Sequence, residues 1–206
     1  MAPPTYPPGG TFFDTLKKNF TDVPIDESKC EAISTTPFLE AAESLTTLFD
    51  VLGSAAFTPV KSDMGGNIKK IRDRQLASPL DSESLQDLVR NELKTGKHTA
   101  TEGLLWLTRG LDFTAQSLRK NLSNSDEELS TSFRDAYGKT LKPHHSFIVK
   151  PIFSAAMSAT PYRKDFYAKL GDDQTRVQKE LGEWLAGLER NLRILNAFVT
   201  SKEAKW

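Results

Sequence analysis

The stretch TPVKSDMGGNIKKI, residues 58–71, decides how the fold is read. Thr58-Pro59 marks a helix start, because a proline in the first turn gives up only an N–H that has no partner inside the helix. Val60, Met64, Ile68 and Ile71 then recur at three- and four-residue intervals, which places them on one helical face. Asp63, Asn67 and Lys70 fall within about 60° of one another, directly beside that apolar face. Aspartate offers two acceptors, asparagine both a donor and an acceptor, and lysine a donor, a set suited to vicinal hydroxyls. A network between successive turns on the surface is the simpler use of the same trio. Gly65 and Gly66 each cost up to about 1 kcal/mol against alanine in a helix interior. They fit a surface that a ligand or another backbone approaches closely.

The same helical period extends outward in both directions, and β-branched alternation is scarce. TFFDTLKKNF, residues 11–20, reads as a short helical or extended piece. Thr35 or Thr36 caps a helix that runs from Pro37 and stops at Gly53. The opening stretch continues to about residue 75. A third, mostly polar helix starts at Asp81 or Ser82 and ends near Lys94, and a fourth, holding GLLWLTRGLDF, spans Thr99 to Leu122. Ser125 with Glu128 three residues on reads as a capping box that opens a fifth helix to about Thr140. PHHSFIVKPIFSAAMSA, residues 143–159, is a sixth helix, apolar on most faces and bent at Pro151. A short piece covers Tyr162 to Leu170. A last long helix carries the stripe Leu181, Leu185, Leu188, Leu192, Leu195 and Val199. The expectation is an all-α bundle of about seven to nine helices.

The chain has 206 residues, 38% of them hydrophobic, enough for one sizeable core. A single domain is expected over residues 11–206, behind a disordered tail at residues 1–10, MAPPTYPPGG. Lys+Arg and Asp+Glu each number 27, so the net charge is zero. The basic excess of a nucleic-acid binder is missing, as is the bulk charge that draws proteins to anionic membranes. Cys30 is the single cysteine, which excludes an intramolecular disulfide and a thiolate zinc site. The N-terminus has no basic or apolar region of a signal peptide. No apolar run approaches the roughly 18 residues of a membrane span. A cytoplasmic protein is expected.

Three further residues draw attention. Trp106 has Gly103 and Gly110 one turn to either side, which leaves an indole face uncovered for a flat ligand such as a sugar ring; a core tryptophan is the equal alternative. His144 and His145 are adjacent, so on a helix they point about 100° apart and do not chelate one metal. From the sequence alone His145 reads as an ordinary capped or buried histidine. No serine elbow, phosphate-binding glycine loop or paired carboxylates stand out, so neither catalysis nor a cofactor is expected.

Four segments, FDVLGSAAFTPVKSDMGGNIKKI, LLWLTRGL, HHSFIVKPIF and ATPYRKDF, occur in the order and approximate spacing of the glycolipid transfer protein family. Across roughly residues 36–200 the chain resembles that family, and also its fungal heterokaryon-incompatibility member. The resemblance implies a two-layer helical sandwich of about eight helices that carries one glycosphingolipid between membranes without catalysis. Asp63, Asn67 and Lys70 would hydrogen-bond the first sugar, and Trp106 would stack on its ring. His145, with Asp63, would hold the ceramide amide. An apolar tunnel for the chains would be lined by Leu48, Leu52, Ala56, Phe57, Val60, Phe153, Ala156, Met157 and Phe166. Phe147, Ile148 and Tyr162 would touch the membrane. Phe147 stands where many animal members carry tryptophan, and Trp206 is the one aromatic near the position of the family's C-terminal tyrosine. The implied partners are glucosyl-, galactosyl- or lactosyl-ceramide and a transient membrane surface, with no nucleic acid, bound by a monomer.

Two other functions share such a pocket. A ceramide-1-phosphate carrier of the same superfamily places cations at the positions of Asn67, Trp106 and Gly110, all neutral here, because a phosphate needs positive charge. A sensor or adaptor would bind the same glycolipid to signal to a protein partner.

Overall fold

In the computed structural model, which describes residues 6–206, nine α-helices follow one another along the chain. They are α1 (Thr35–Thr46), α2 (Leu48–Leu52), α3 (Thr58–Ala77), α4 (Leu85–Lys94), α5 (Thr99–Ser123), α6 (Leu129–Lys139), α7 (Val149–Ser158), α8 (Arg163–Leu170) and α9 (Gln174–Val199). They pack as a two-layer sandwich with α5 at its centre, against α3, α6 and α9. α1 covers α3, α7 covers α6 and α8 covers α9. Hydrophobic periodicity explains this order. Leu104, Leu107, Leu111 and Leu118 of α5 are fully buried, as are Leu181, Leu185, Leu188 and Leu195 of α9. α9 also buries Trp184, which meets Phe20 edge-on at 6.2 Å between ring centroids.

α5 is the backbone of the site, and its start is secured from outside. Its N-cap position, His98, makes no side-chain capping bond. Glu92 of α4, only 3% exposed, reaches across instead. Its carboxylate accepts from Ala100 N (2.9 Å), Thr101 N (2.7 Å) and Thr101 Oγ1 (2.7 Å). Three donors at the positive end of a helix hold a carboxylate whose charge complements that end.

The structure moves several expected boundaries. The helix read as continuous from Pro37 to Gly53 begins at Thr35 and breaks at Thr47, leaving α1 and α2; counted together they bring the total to eight. Neither Thr35 nor Thr36 caps it, since both lie inside the first turn. α4 starts after Ser84, whose hydroxyl accepts from Asp87 N at 3.0 Å, while Asp81 ends a separate 3-10 turn. Ser125 and Glu128 form no capping box. The Glu128 carboxylate accepts from Arg163 N at 2.8 Å and so ties the start of α6 to α8.

Residues 143–148 are turns, and the sixth expected helix begins only at Val149. Pro151 therefore falls in the first turn of α7, where its missing N–H would have had no helical partner, and it does not bend the helix. A short antiparallel pair, β1 (Ile25–Asp26) and β2 (Ala32–Ile33), was not foreseen, because two residues are too few to show a period. Of the tail expected at residues 1–10, residues 1–5 lie outside the described residues. Tyr6 is docked: its hydroxyl donates to Lys169 O at 2.9 Å, and its ring packs on the core.

Candidate functional site

On α3 the three polar residues form a chain of contacts. Lys70 Nζ donates to Asn67 Oδ1 at 3.3 Å, and Asn67 Nδ2 reaches Asp63 Oδ2 at a long 3.4 Å. The side chains are at different depths. Asn67 is 3% exposed, whereas Asp63 lies at the surface. Asn67 is thus the floor of the group and Asp63 its rim. At 3.4 Å the amide satisfies little of the carboxylate, so Asp63 keeps most of its acceptor capacity open. Partial desolvation raises the Asp63 pKa above its usual value, against the opposing charge of Lys70. An under-bonded acceptor at a surface is suited to two hydroxyl or amide donors.

The opening glycines stand in open space. A Cβ at Gly65 or Gly66 would meet nothing within 4 Å. The close backbone approach occurs on the partner helix. At Gly103 a Cβ would lie 3.2 Å from both Asn67 O and Lys70 Cβ, and at Gly110 it would lie 3.5 Å from Met64 Cγ. Gly103 therefore lets α5 close on α3, while Gly110 makes an ordinary contact with the Met64 side chain; the spacing that suggested a bare indole serves helix packing instead. Trp106 lies between them in sequence and is half-buried against the core.

The indole has its own neighbours. The His145 ring stacks on it at 5.9 Å and 21°, His144 meets it edge-on at 6.5 Å, and the Arg109 guanidinium carbon lies 4.8 Å from the ring centroid. Of the two histidines, His145 is the half-buried one. Its Nδ1 stands 3.2 Å from Tyr137 Oη, and its ring is 4.5 Å from Phe153. Burial, followed by the charges of His144, Lys150 and Arg109, lowers the His145 pKa, and the imidazole is neutral near pH 7. Burial raises the Tyr137 pKa, so its hydroxyl keeps its proton.

Tyr137 and Arg109 were not singled out by the sequence. Tyr137 is on α6, and only the fold brings it to His145. Arg109 follows Trp106 by three residues, the spacing of helical neighbours, and that was the one available signal. Among the described residues Arg109 makes no ion pair, so it and Lys70 leave the site with an excess of positive charge.

Below His145 the surroundings turn apolar at once. Phe153 stacks on Tyr137 at 5.3 Å and meets Phe113 at 6.2 Å, and Phe113 contacts Phe133, which contacts Phe57. Leu48, Leu52, Phe57, Val60, Phe153, Ala156, Met157 and Phe166 are all buried in this continuous cluster, with Ala56 half-buried at its edge. At the surface Phe147 is 82% exposed, Ile148 64% and Tyr162 73%. Trp206 lies away from Trp106 in sequence and stacks on His98, at 5.3 Å and 11°, by the start of α5. No helix among the described residues is long and apolar enough to cross a membrane.

The family model described as "Glycolipid transfer protein (GLTP)" matches residues 33–172. A protein of Aureobasidium melanogenum called glycolipid transfer protein is 76% identical over 201 residues, covering 98% of each chain. The human pleckstrin homology domain-containing family A member 8 is 35% identical over 90% of this chain, which spans only 38% of that longer protein. Among solved structures, that of HET-C2, a fungal glycolipid transfer protein, superposes with a TM-score of 0.93 at 68% identity, covering 95% of this chain and all of that one. The structure that describes how FAPP2 selects simple glycosphingolipids superposes with a TM-score of 0.81 at 33% identity, covering 92% and 94%.

Proposed function

The chain belongs to the glycolipid transfer protein family, and we propose from that premise that it binds one glycosphingolipid and carries it between membranes without chemical change. His145 is the observation that carries the reading. Its ring stacks on the Trp106 indole at 5.9 Å and stands 4.5 Å from Phe153 of the apolar cluster. A polar, hydroxyl-binding surface is thereby joined to the hydrophobic interior across one hydrogen-bonding side chain. The matching ligand is an amphiphile with a sugar at one end, hydrocarbon at the other and an amide between them.

In this reading Asp63, Asn67 and Lys70 bind the first sugar while Trp106 supports its ring. Neutral His145 donates from Nε2 to the ceramide carbonyl, and Asp63 accepts the amide N–H. The hydrocarbon enters among Phe57, Val60, Phe153 and Met157. Residues 11–206 serve this as one domain, in the cytoplasm, where lipids must cross water between bilayers.

The test is transfer between vesicles. Glucosyl-, galactosyl- and lactosyl-ceramide should move; phosphatidylcholine should not. Ceramide 1-phosphate belongs in the same experiment, because Lys70 and Arg109 are both free of carboxylates within ion-pair range. Preferential transfer of ceramide 1-phosphate would overturn the sugar reading. Trp106→Ala should lose most glycolipid transfer while remaining folded.

A further inference from the structure

The groove between α6 and α7 is a second feature with a chemistry of its own. It has a volume of about 470 Å³, and Arg134, Lys142 and Lys150 line it together with Tyr137, Phe147 and Met157. No carboxylate lines it. Among the described residues none of its three cations is in an ion pair, and the Arg134 guanidinium donates to the Ser158 hydroxyl at 2.7 Å. Some cations elsewhere are matched, as in Arg119 with Glu189, Lys120 with Asp135 and Arg176 with Asp14. Three unpaired cations thus share one groove, with no carboxylate among its lining residues.

That place is also the apolar one. Phe147 lines the groove and is 82% exposed, and Ile148 and Ile152 beside it are 64% and 42% exposed. Apolar side chains next to unpaired cations match the boundary of a bilayer, where aromatic rings sit at headgroup depth and phosphates lie above them. An acidic protein surface would satisfy the cations but would leave the isoleucines without a purpose.

We propose that this groove seats the phosphate of a membrane phospholipid while Phe147 and Ile148 enter the bilayer next to it. Arg134, Lys142 and Lys150 supply charge-assisted donors to the phosphate oxygens. Net charge then says nothing about docking, because the interaction is local and lies within a Debye length of the surface. The seat holds the carrier in one orientation on either membrane. This rests on the reading of the protein as a lipid carrier, but its deciding measurement uses phospholipid vesicles that contain no glycolipid.

The test is binding to phosphatidylcholine vesicles, with and without about one lipid in five replaced by phosphatidic acid, for the wild-type chain and Lys142→Gln/Lys150→Gln. Each basic side chain near an anionic surface is worth about fivefold, so the wild type should bind anionic vesicles tenfold or more tighter. The double variant should lose most of that preference and keep its melting temperature and its affinity for a soluble short-chain glucosylceramide. Phe147→Ala should weaken binding to both kinds of vesicle equally. Replacing chloride by inorganic phosphate at equal ionic strength should reduce the preference. No preference in the wild type, preference surviving in the double variant, or indifference to phosphate would each overturn the seat. Tight binding of polyglutamate with indifference to vesicle charge would assign the groove to a protein partner instead. Failure of the wild type to bind short-chain glucosylceramide would sink the carrier reading and leave the vesicle comparison standing.

Discussion

The Tyr137 hydroxyl stands 3.2 Å from His145 Nδ1, joining α6 to the turn before α7 at the boundary between polar site and apolar core. The hydroxyl has no other acceptor among the described residues. In the tautomer in which the hydroxyl donates to Nδ1, the imidazole proton sits on Nε2, leaving that nitrogen free to donate.

Tyr137→Phe keeps the ring stacked on Phe153 and removes this one bond. Affinity for a short-chain galactosylceramide should fall about two- to tenfold, the worth of a net hydrogen bond. The pH at which acid abolishes binding should also rise, since the neutral imidazole loses a donor that favoured it. Titration across pH at constant melting temperature checks both. Unchanged affinity and pH midpoint would remove Tyr137 from the site.

His145 also links pH to stability. Burial lowers its folded pKa from the ordinary 6.5, and the charges of His144, Lys150 and Arg109 push the same way. Between the folded and unfolded pKa values the unfolded chain binds more protons, so stability rises with pH in that window. The contribution is complete above about pH 6.5 and is lost as pH falls toward the folded value. His144 acts in the same direction. Thermal melts between pH 5 and 7 should therefore show a shallower slope in His145→Gln than in the wild type.

Asp63 runs the other way. Desolvation raises its folded pKa, so its ionised form opposes folding; below its unfolded pKa that opposition vanishes, and it is complete above the folded one. Asp63→Asn should hold or raise the melting temperature at neutral pH while losing most glycolipid binding. A large drop in melting temperature would identify Asp63 as a structural residue.

Gly66 and Gly103 make a matched pair of substitutions. A Cβ at Gly66 meets nothing, so Gly66→Ala should stabilise α3 by roughly 0.5–1 kcal/mol. A Cβ at Gly103 presses on Asn67 O and Lys70 Cβ at 3.2 Å. Gly103→Ala should lower stability by about 1–3 kcal/mol and weaken sugar binding by moving α5 off α3. Chemical denaturation of both variants checks the contrast. Equal effects would contradict the packing role of Gly103.

Glu92→Ala leaves the Ala100 and Thr101 amides and the Thr101 hydroxyl without their acceptor. A loss of about 2 kcal/mol or more is expected, with amide exchange rising first at the start of α5. A Glu102→Ala change in the same turn, where the half-buried side chain makes no hydrogen bond or ion pair among the described residues, should cost well under about 1 kcal/mol.

The helical class, the composition of the core and the polar trio were legible from the chain alone. Those features are local. Val60, Met64, Ile68 and Ile71 declare a face through their spacing, and Asp63, Asn67 and Lys70 share a face because the helix period puts them there. Likewise the leucine stripe of α9 was legible as written, and Leu181, Leu185, Leu188 and Leu195 are fully buried.

What depends on residues far apart in the chain was settled by packing. Ser125 and Glu128 had the spacing of a capping box, but Glu128 found a better donor in the Arg163 amide. Pro151 marked a bend only if a helix preceded it, and turns at residues 143–148 moved it to a first turn. The glycine that brings two backbones together is Gly103, not Gly65 or Gly66, because close approach belongs to a pair of helices and one helix carries no record of its partner. For the same reason Tyr137 beside His145, Glu92 at the start of α5 and the three cations around Phe147 are properties of the packed molecule. A hydrogen bond or a local field depends on distance in space, and hydrophobic period fixes which side of a helix turns inward without fixing what it meets.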